Sequence, residues 1–106
     1  MNVLLINGSP HQYGCTHTAL QEVAKQLELE GIDTQELHIG SQAIYPCTAC
    51  GSCSRTGLCV FQDDPVNKAV ELTQKADGLI VGTPVHYAAP NGSLCAFLDR
   101  MFFIKN

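Results

Sequence analysis

Two stretches of the chain gather polar side chains at spacings that suit ligand binding. The first is Gly8-Ser9-Pro10-His11-Gln12-Tyr13-Gly14-Cys15-Thr16-His17-Thr18, which links an apolar run to a helical pattern. Backbone N–H groups at a helix start point outward without partners, and the helix dipole adds positive potential. A phosphate suits that position, and the hydroxyls of Ser9, Thr16 and Thr18 add donors. Two other phosphate loops are excluded: no Lys precedes Thr16, so there is no G-x-x-x-x-G-K-[ST], and there is no G-x-G-x-x-G. A hydroxyl-rich loop without lysine fits a single phosphate monoester, as in a mononucleotide. The plainer reading, a Gly- and Ser-rich turn that only starts a helix, stands beside it. The second stretch is Thr83 to Gly92 (Thr-Pro-Val-His-Tyr-Ala-Ala-Pro-Asn-Gly). Pro84, Val85, Ala88, Ala89 and Gly92 allow close approach of a flat apolar ring, and Tyr87 offers a stacking face. His86 has two readings, a hydrogen-bond donor to a ring carbonyl or a solvent-facing loop residue.

The reactive side chains lie between these loops. Cys47, Cys50, Cys53 and Cys59 form C-x2-C-x2-C-x5-C. Zinc modules typically use two C-x2-C pairs with a longer span between them. Three cysteines at successive x2 spacings instead match the ligand run of bacterial ferredoxins, and Cys59 is near enough to complete one site. Three states remain open: a [4Fe–4S] cluster, free thiols or a disulfide, and zinc. Cys15 and Cys95 lie outside the motif; Cys15 reads as a small loop residue and Cys95 as a buried small apolar residue.

The elements that must position these loops alternate strand and helix. Asn2–Asn7 is a short, almost wholly apolar run, as in a strand buried on both faces. Thr16–Glu30 carries Leu20, Val23, Ala24 and Leu27 at helical spacing, and Gly31 ends it. Residues 33–39 read as a second strand, and 40–63 as an irregular cysteine-rich loop. Asp64 and Pro65 read as N-cap and first helical residue of a helix with Val66, Ala69, Val70 and Leu72 on one face. Gly78–Gly82 is a third buried strand. A last helix, capped near Asn91, presents Leu94, Phe97, Leu98 and Met101. Strands joined by helices run parallel, so the expected class is α/β, with the two ligand loops at the carboxyl rim of a sheet ordered 2-1-3.

Composition narrows the classes further. At 106 residues one domain is expected. Net charge is −4 and the six Lys and Arg are scattered, which argues against a nucleic-acid partner. Val3–Ile6 is far too short to span a bilayer, and no basic stretch precedes it. The expectation is a cytoplasmic protein without a membrane partner, in which crowded cysteines favour metal or redox chemistry over structural bridges.

Taken together, Gly8-Ser9-Pro10…Thr16-His17-Thr18 and Gly82-Thr83-Pro84-Val85-His86-Tyr87…Asn91-Gly92-Ser93-Leu94…Phe97-Leu98-Asp99-Arg100 resemble the NAD(P)H-dependent FMN reductase family of the flavodoxin-like fold. The cysteine motif is similar to that of its iron–sulfur flavoprotein branch. The resemblance implies a flavodoxin-like three-layer sandwich and an FMN site. Ser9, His11, Thr16 and Thr18 would serve the phosphate and ribityl chain, and Pro84, Val85, His86, Tyr87, Asn91 and Gly92 would border the ring. Cys47, Cys50, Cys53 and Cys59 would be metal ligands. Asp99-Arg100 looks like the family's helix ending, a structural feature. No catalytic acid or base is implied, because the flavin carries the chemistry.

The fold family has five strands, and residues 1–106 supply three, so this reading makes the chain a partial flavodoxin-like FMN-binding domain with strands 4 and 5 missing. A bare edge at Leu79-Ile80-Val81 would favour a homodimer. The leading function is a flavin-dependent oxidoreductase passing electrons from NAD(P)H as co-substrate through FMN to a small-molecule acceptor. One alternative is an iron–sulfur electron carrier serving a redox protein such as ferredoxin, without pyridine-nucleotide activity. Another is a truncated, non-catalytic remnant.

Overall fold

The computed structural model describes residues 1–40, 44–45, 47–59, 64–86 and 88–105. Tyr87, the expected stacking residue, lies outside them, as does part of the cysteine-rich loop. The elements are β1 (Asn2–Asn7), α1 (Cys15–Leu29), β2 (Asp33–His38), α2 (Cys53–Thr56), α3 (Val66–Lys75), β3 (Gly78–Gly82), β4 (Val85–His86), β5 (Ala89–Pro90) and α4 (Gly92–Lys105).

β1 is the centre of a parallel sheet ordered β2-β1-β3, as the alternation of strands and helices predicts. Val3 stands opposite Thr34 on one side and Gly78 on the other, and the registers run unbroken to Asn7 between His38 and Gly82. Because successive strand residues face opposite ways, β1 feeds two cores. Val3 and Leu5 pack with Leu20 and Ala24 of α1. Leu4 and Ile6 pack with Val66, Ala69 and Val70 of α3 and with Leu94, Phe97 and Met101 of α4. The result is three layers, with α1 on one face and α3 and α4 on the other. The second core is larger, and each of its fully buried large side chains contributes roughly 1.5–3 kcal/mol.

Helix boundaries shift slightly from expectation. α1 begins at Cys15 and ends before Gly31, whose φ of 80° suits glycine. α3 begins one residue late. Pro65 sits at its N-cap, while the Asp64 carboxylate accepts the Val66 N–H at 3.2 Å. α4 is capped by Asn91, whose Oδ1 accepts the Ser93 N–H at 3.1 Å. It runs past Asp99-Arg100 to Lys105, so that pair does not end the helix. Two small elements were not expected: the single turn α2 within the cysteine motif, and the antiparallel β4–β5 hairpin after β3. The expectation for 40–63 overlooked α2 because four residues carry too little periodicity to register.

Candidate functional site: a rim joined by two loops, and a cysteine loop

The loops after β1 and β3 meet at the carboxyl rim of the sheet. The Gly8 N–H donates to Gly82 O at 2.9 Å, and Asn91 Nδ2 donates to Gly8 O at 2.6 Å. Thr83 Oγ1 accepts the Asn91 N–H at 3.1 Å, which closes the second loop on itself. The contact is so close that neither glycine has room for a side chain. A Cβ on Gly8 would stand 3.0 Å from Gly82 O, and one on Gly82 would stand 2.9 Å from the Thr16 methyl. Ser9, Thr16, Asn91 and Gly92 are therefore brought to one rim.

The first loop is shaped from beneath by side chains that carry no expected role. Asn7 is fully buried at the end of β1. Its Oδ1 accepts the Ser9 N–H at 3.0 Å, and its Nδ2 donates to Gln12 O at 3.2 Å and to Glu36 Oε2 at 3.1 Å. His38 Nε2 donates to Ser9 O at 2.6 Å. Glu36 also accepts from His17 Nδ1 at 2.8 Å and from Gln21 Nε2 at 2.7 Å. Burial works to raise the Glu36 pKa, but the bonds from His17, Gln21 and Asn7, with the charge of His17, outweigh it and hold the carboxyl below its ordinary range. Asn7 had one legible signal, a polar residue closing an apolar strand. Glu36 and His38 had none, since β2 alternates weakly.

The expected ligand residues differ in what they already do. Ser9 is buried, and its Oγ accepts the His11 N–H at 3.0 Å. Thr18 Oγ1 is turned back onto Gly14 O at 3.2 Å. Thr16 packs its methyl toward Gly82, and the His11 side chain is exposed. Gly14 caps α1 without any side-chain hydrogen bond, so among the described residues the first turn has no N-cap side chain. That is the arrangement a phosphate needs. In the second loop Val85 is 72% exposed beside half-buried Pro84, an apolar surface at the mouth of the rim. Ala88 turns the hairpin at φ 60°, a strained value for a residue with a Cβ. These features fit a phosphorylated flat ring: uncapped N–H groups on one side and exposed apolar surface on the other.

The cysteine loop is built differently. Cys47, Cys50, Cys53 and Cys59 are all free thiols. Among the described residues no three His, Cys, Asp or Glu side chains gather as a ligand set. The sulfurs are nevertheless supplied with N–H donors. Cys47 Sγ accepts from the Ala49 N–H at 3.3 Å, and Cys59 Sγ accepts from Arg100 Nε at 3.3 Å. Hydrogen bonds from Ser52, backbone first, pull the exposed Cys50 thiol below its usual pKa. Donors of this kind favour thiolate, which is the form that ligates iron or zinc, so the donor chemistry fits a thiolate-bound centre.

Arg100 is the buried anchor of this region, with 1% exposure. Its fork meets both Asp64 oxygens, at 2.5 and 3.2 Å, and Nη1 also donates to Tyr45 O at 3.2 Å. Burial opposes its charge, and the bonds to Asp64 and Cys59 more than restore it. The structural role expected of Arg100 thus has a specific content.

No helix among the described residues is long and apolar enough to cross a membrane. A family profile described as NADPH-dependent FMN reductase matches residues 1–106. The chain is 36% identical over 101 residues to an iron-sulfur flavoprotein of Archaeoglobus fulgidus, covering 95% of this chain and 46% of that protein. It is 33% identical over 108 residues to an iron-sulfur flavoprotein of Methanosarcina thermophila, covering 99% of this chain and 54% of the other. It is 35% identical over 102 residues to an FMN reductase (NADPH) of Escherichia coli, covering 95% and 48%. The chain spans about half the length of these curated relatives.

Proposed function

Because this chain belongs to the NADPH-dependent FMN reductase family, we propose that it forms the flavin-binding part of an oxidoreductase that draws electrons from NAD(P)H through bound FMN and delivers them to a small acceptor. The observation that carries this reading is the joining of two loops at one rim, through Gly8 to Gly82 and Asn91 to Gly8. When bound, FMN supplies the hydride and single-electron chemistry. The chain's own residues bind and orient. The first-turn N–H groups of α1, with the hydroxyls of Ser9 and Thr16, would hold the phosphate and ribityl chain, whereas the Thr18 hydroxyl is already spent on Gly14 O. Pro84, Val85, Asn91 and Gly92 border the ring and exclude water from one side. No side chain needs to move a proton.

The test is a titration with FMN, read by flavin fluorescence and by thermal unfolding. A ligand that binds only the native state raises its stability, so a rising midpoint with quenched fluorescence supports the site. No shift and no quenching overturns it. Anaerobic NADPH should then bleach the bound flavin.

A second reading is an iron–sulfur electron carrier. It is favoured by the four free thiols with N–H donors on two of the sulfurs. Here the cysteine loop would hold a [4Fe–4S] cluster. Iron and sulfide analysis of protein prepared without oxygen tests the cluster. Failure of NADPH to bleach the flavin, with ready reduction by a ferredoxin, would select the carrier. We also propose a homodimer. Among the described residues β3 has a sheet neighbour on one side, and Val81 on it is 36% exposed. Sedimentation of a single monomeric species would exclude that pairing.

A further inference from the structure

We propose that Arg100 and Asn67 are positioning residues that hold Cys59 as the fixed sulfur of the cysteine loop, the one against which a thiolate-ligated metal centre closes. This rests on reading the loop as a metal site. Asn67, in α3, grips the backbone of Cys59 from both directions. Its Oδ1 accepts the Cys59 N–H at 2.8 Å, and its Nδ2 donates to Cys59 O at 3.1 Å. Arg100, in α4, donates Nε–H to the sulfur itself at 3.3 Å. The same guanidinium reaches Tyr45 O, two residues before Cys47, and Asp64, five residues after Cys59. One buried cation therefore pins both ends of the motif to one helix.

The other three cysteines are held differently. The Cys47 sulfur accepts from Ala49, two residues on, within the loop. Cys50 is exposed, and Cys53 opens the single turn α2. Among the described residues, Cys59 is the one of the four whose backbone and sulfur are both tied to α3 and α4.

Stability does not explain the arrangement. A buried ion pair can often be replaced by apolar residues without loss, because desolvating two charges offsets their attraction. A guanidinium that spends its Nε–H on a sulfur does more than neutralise Asp64. It places a fixed positive charge and a directed donor beside one thiolate. Hydrogen bonds to sulfur and local charge are what set the affinity and potential of thiolate-bound metals. The same helix reaches the rim. Asn91, which caps it, holds Gly8, and Arg100 lies nine positions farther on, about 14 Å along the axis. α4 thus sets the spacing between the cysteine loop and the rim.

The experiment is an anaerobic Co(II) titration of the reduced chain, followed by sulfur-to-cobalt charge-transfer absorption. Four proteins are compared with the wild type: D64N/R100M, which removes both charges together and orphans neither; Arg100→Lys; Asn67→Ala; and Cys59→Ser. Losing a supporting partner typically weakens metal affinity by about 10–100-fold, and that loss is expected for D64N/R100M and for Asn67→Ala. Arg100→Lys, which keeps the charge but not the fork, should fall between. Cys59→Ser should lose intensity as well as affinity. FMN titrations of the same proteins should be unchanged, because none of these residues lines the rim. Wild-type Co(II) affinity in D64N/R100M overturns the role of Arg100. Should that variant fail to fold, Asn67→Ala, which leaves the charge pair intact, decides the clamp in the same way. A wild type that shows no charge-transfer band overturns the metal reading and the clamp with it.

Discussion

The rim and the cysteine loop sit on the same scaffold but are held by different means. At the rim, bonds from Asn7, His38 and Asn91 are aimed at the backbone of the loop after β1, so its shape is set before any ligand arrives. In the cysteine loop the buried Arg100 fastens Tyr45, Cys59 and Asp64, while Cys50 between them stands exposed. A site prebuilt in this way has little ordering left to do on binding, which favours one rigid ligand shape. A loop fastened at its ends would still have to close before its four thiols could share one ligand.

The sharpest way to break this contrast is at Arg100. Arg100→Met leaves Asp64, whose side chain is 5% exposed, buried without its partner, and should cost about 3–5 kcal/mol. Urea unfolding measures it, and D64N/R100M should recover much of the loss. At the rim, Asn91→Ala removes the α4 cap and leaves Gly8 O without its 2.6 Å donor. About 2–3 kcal/mol should go, together with FMN affinity, read from the same unfolding curves and a flavin titration. Gly82→Ala tests the close approach. Its Cβ would meet the Thr16 methyl at 2.9 Å and Leu20 at 3.1 Å, an overpacking worth roughly 1–3 kcal/mol in calorimetry.

The smallest effect separates the regions by pH. Glu36 beneath the rim is held below the ordinary carboxylate range by His17, Gln21 and Asn7 against its burial. A depressed carboxyl stabilises the fold above its unfolded pKa, and that contribution disappears as pH falls through the folded value. Urea midpoints measured against pH should therefore decline on the acid side in the wild type, and Glu36→Gln should flatten that decline. An unchanged acid limb would mean that the His17–Glu36 contact does not persist in solution.

Much of the scaffold was legible because burial repeats along the chain. Val3, Leu4, Leu5 and Ile6 form a short apolar run, as expected of a strand covered on both faces, and Leu94, Phe97 and Met101 recur at helical spacing. The rim loops were legible through Gly8, Ser9 and Asn91, whose residue types suit turns and caps. The supports beneath them were not. Glu36 and His38 reach Asn7 and Ser9 across the β1–β2 pairing, from positions 29 residues along the chain. The Arg100–Cys59 bond spans 41 residues, and local spacing carries no trace of it.

By itself the sequence determined the element order, the parallel sheet with β1 at its centre, the two loops at its carboxyl rim and the four-cysteine motif, because each follows from local periodicity, turn chemistry or fixed spacing. Tertiary structure alone decided that Asn7 and Glu36 brace the first loop, that Gly8 and Gly82 touch, and that a single guanidinium joins the cysteine loop to α4. Those contacts link residues far apart in the chain, and they form only once the strands are in register and the helices have packed on both faces of the sheet.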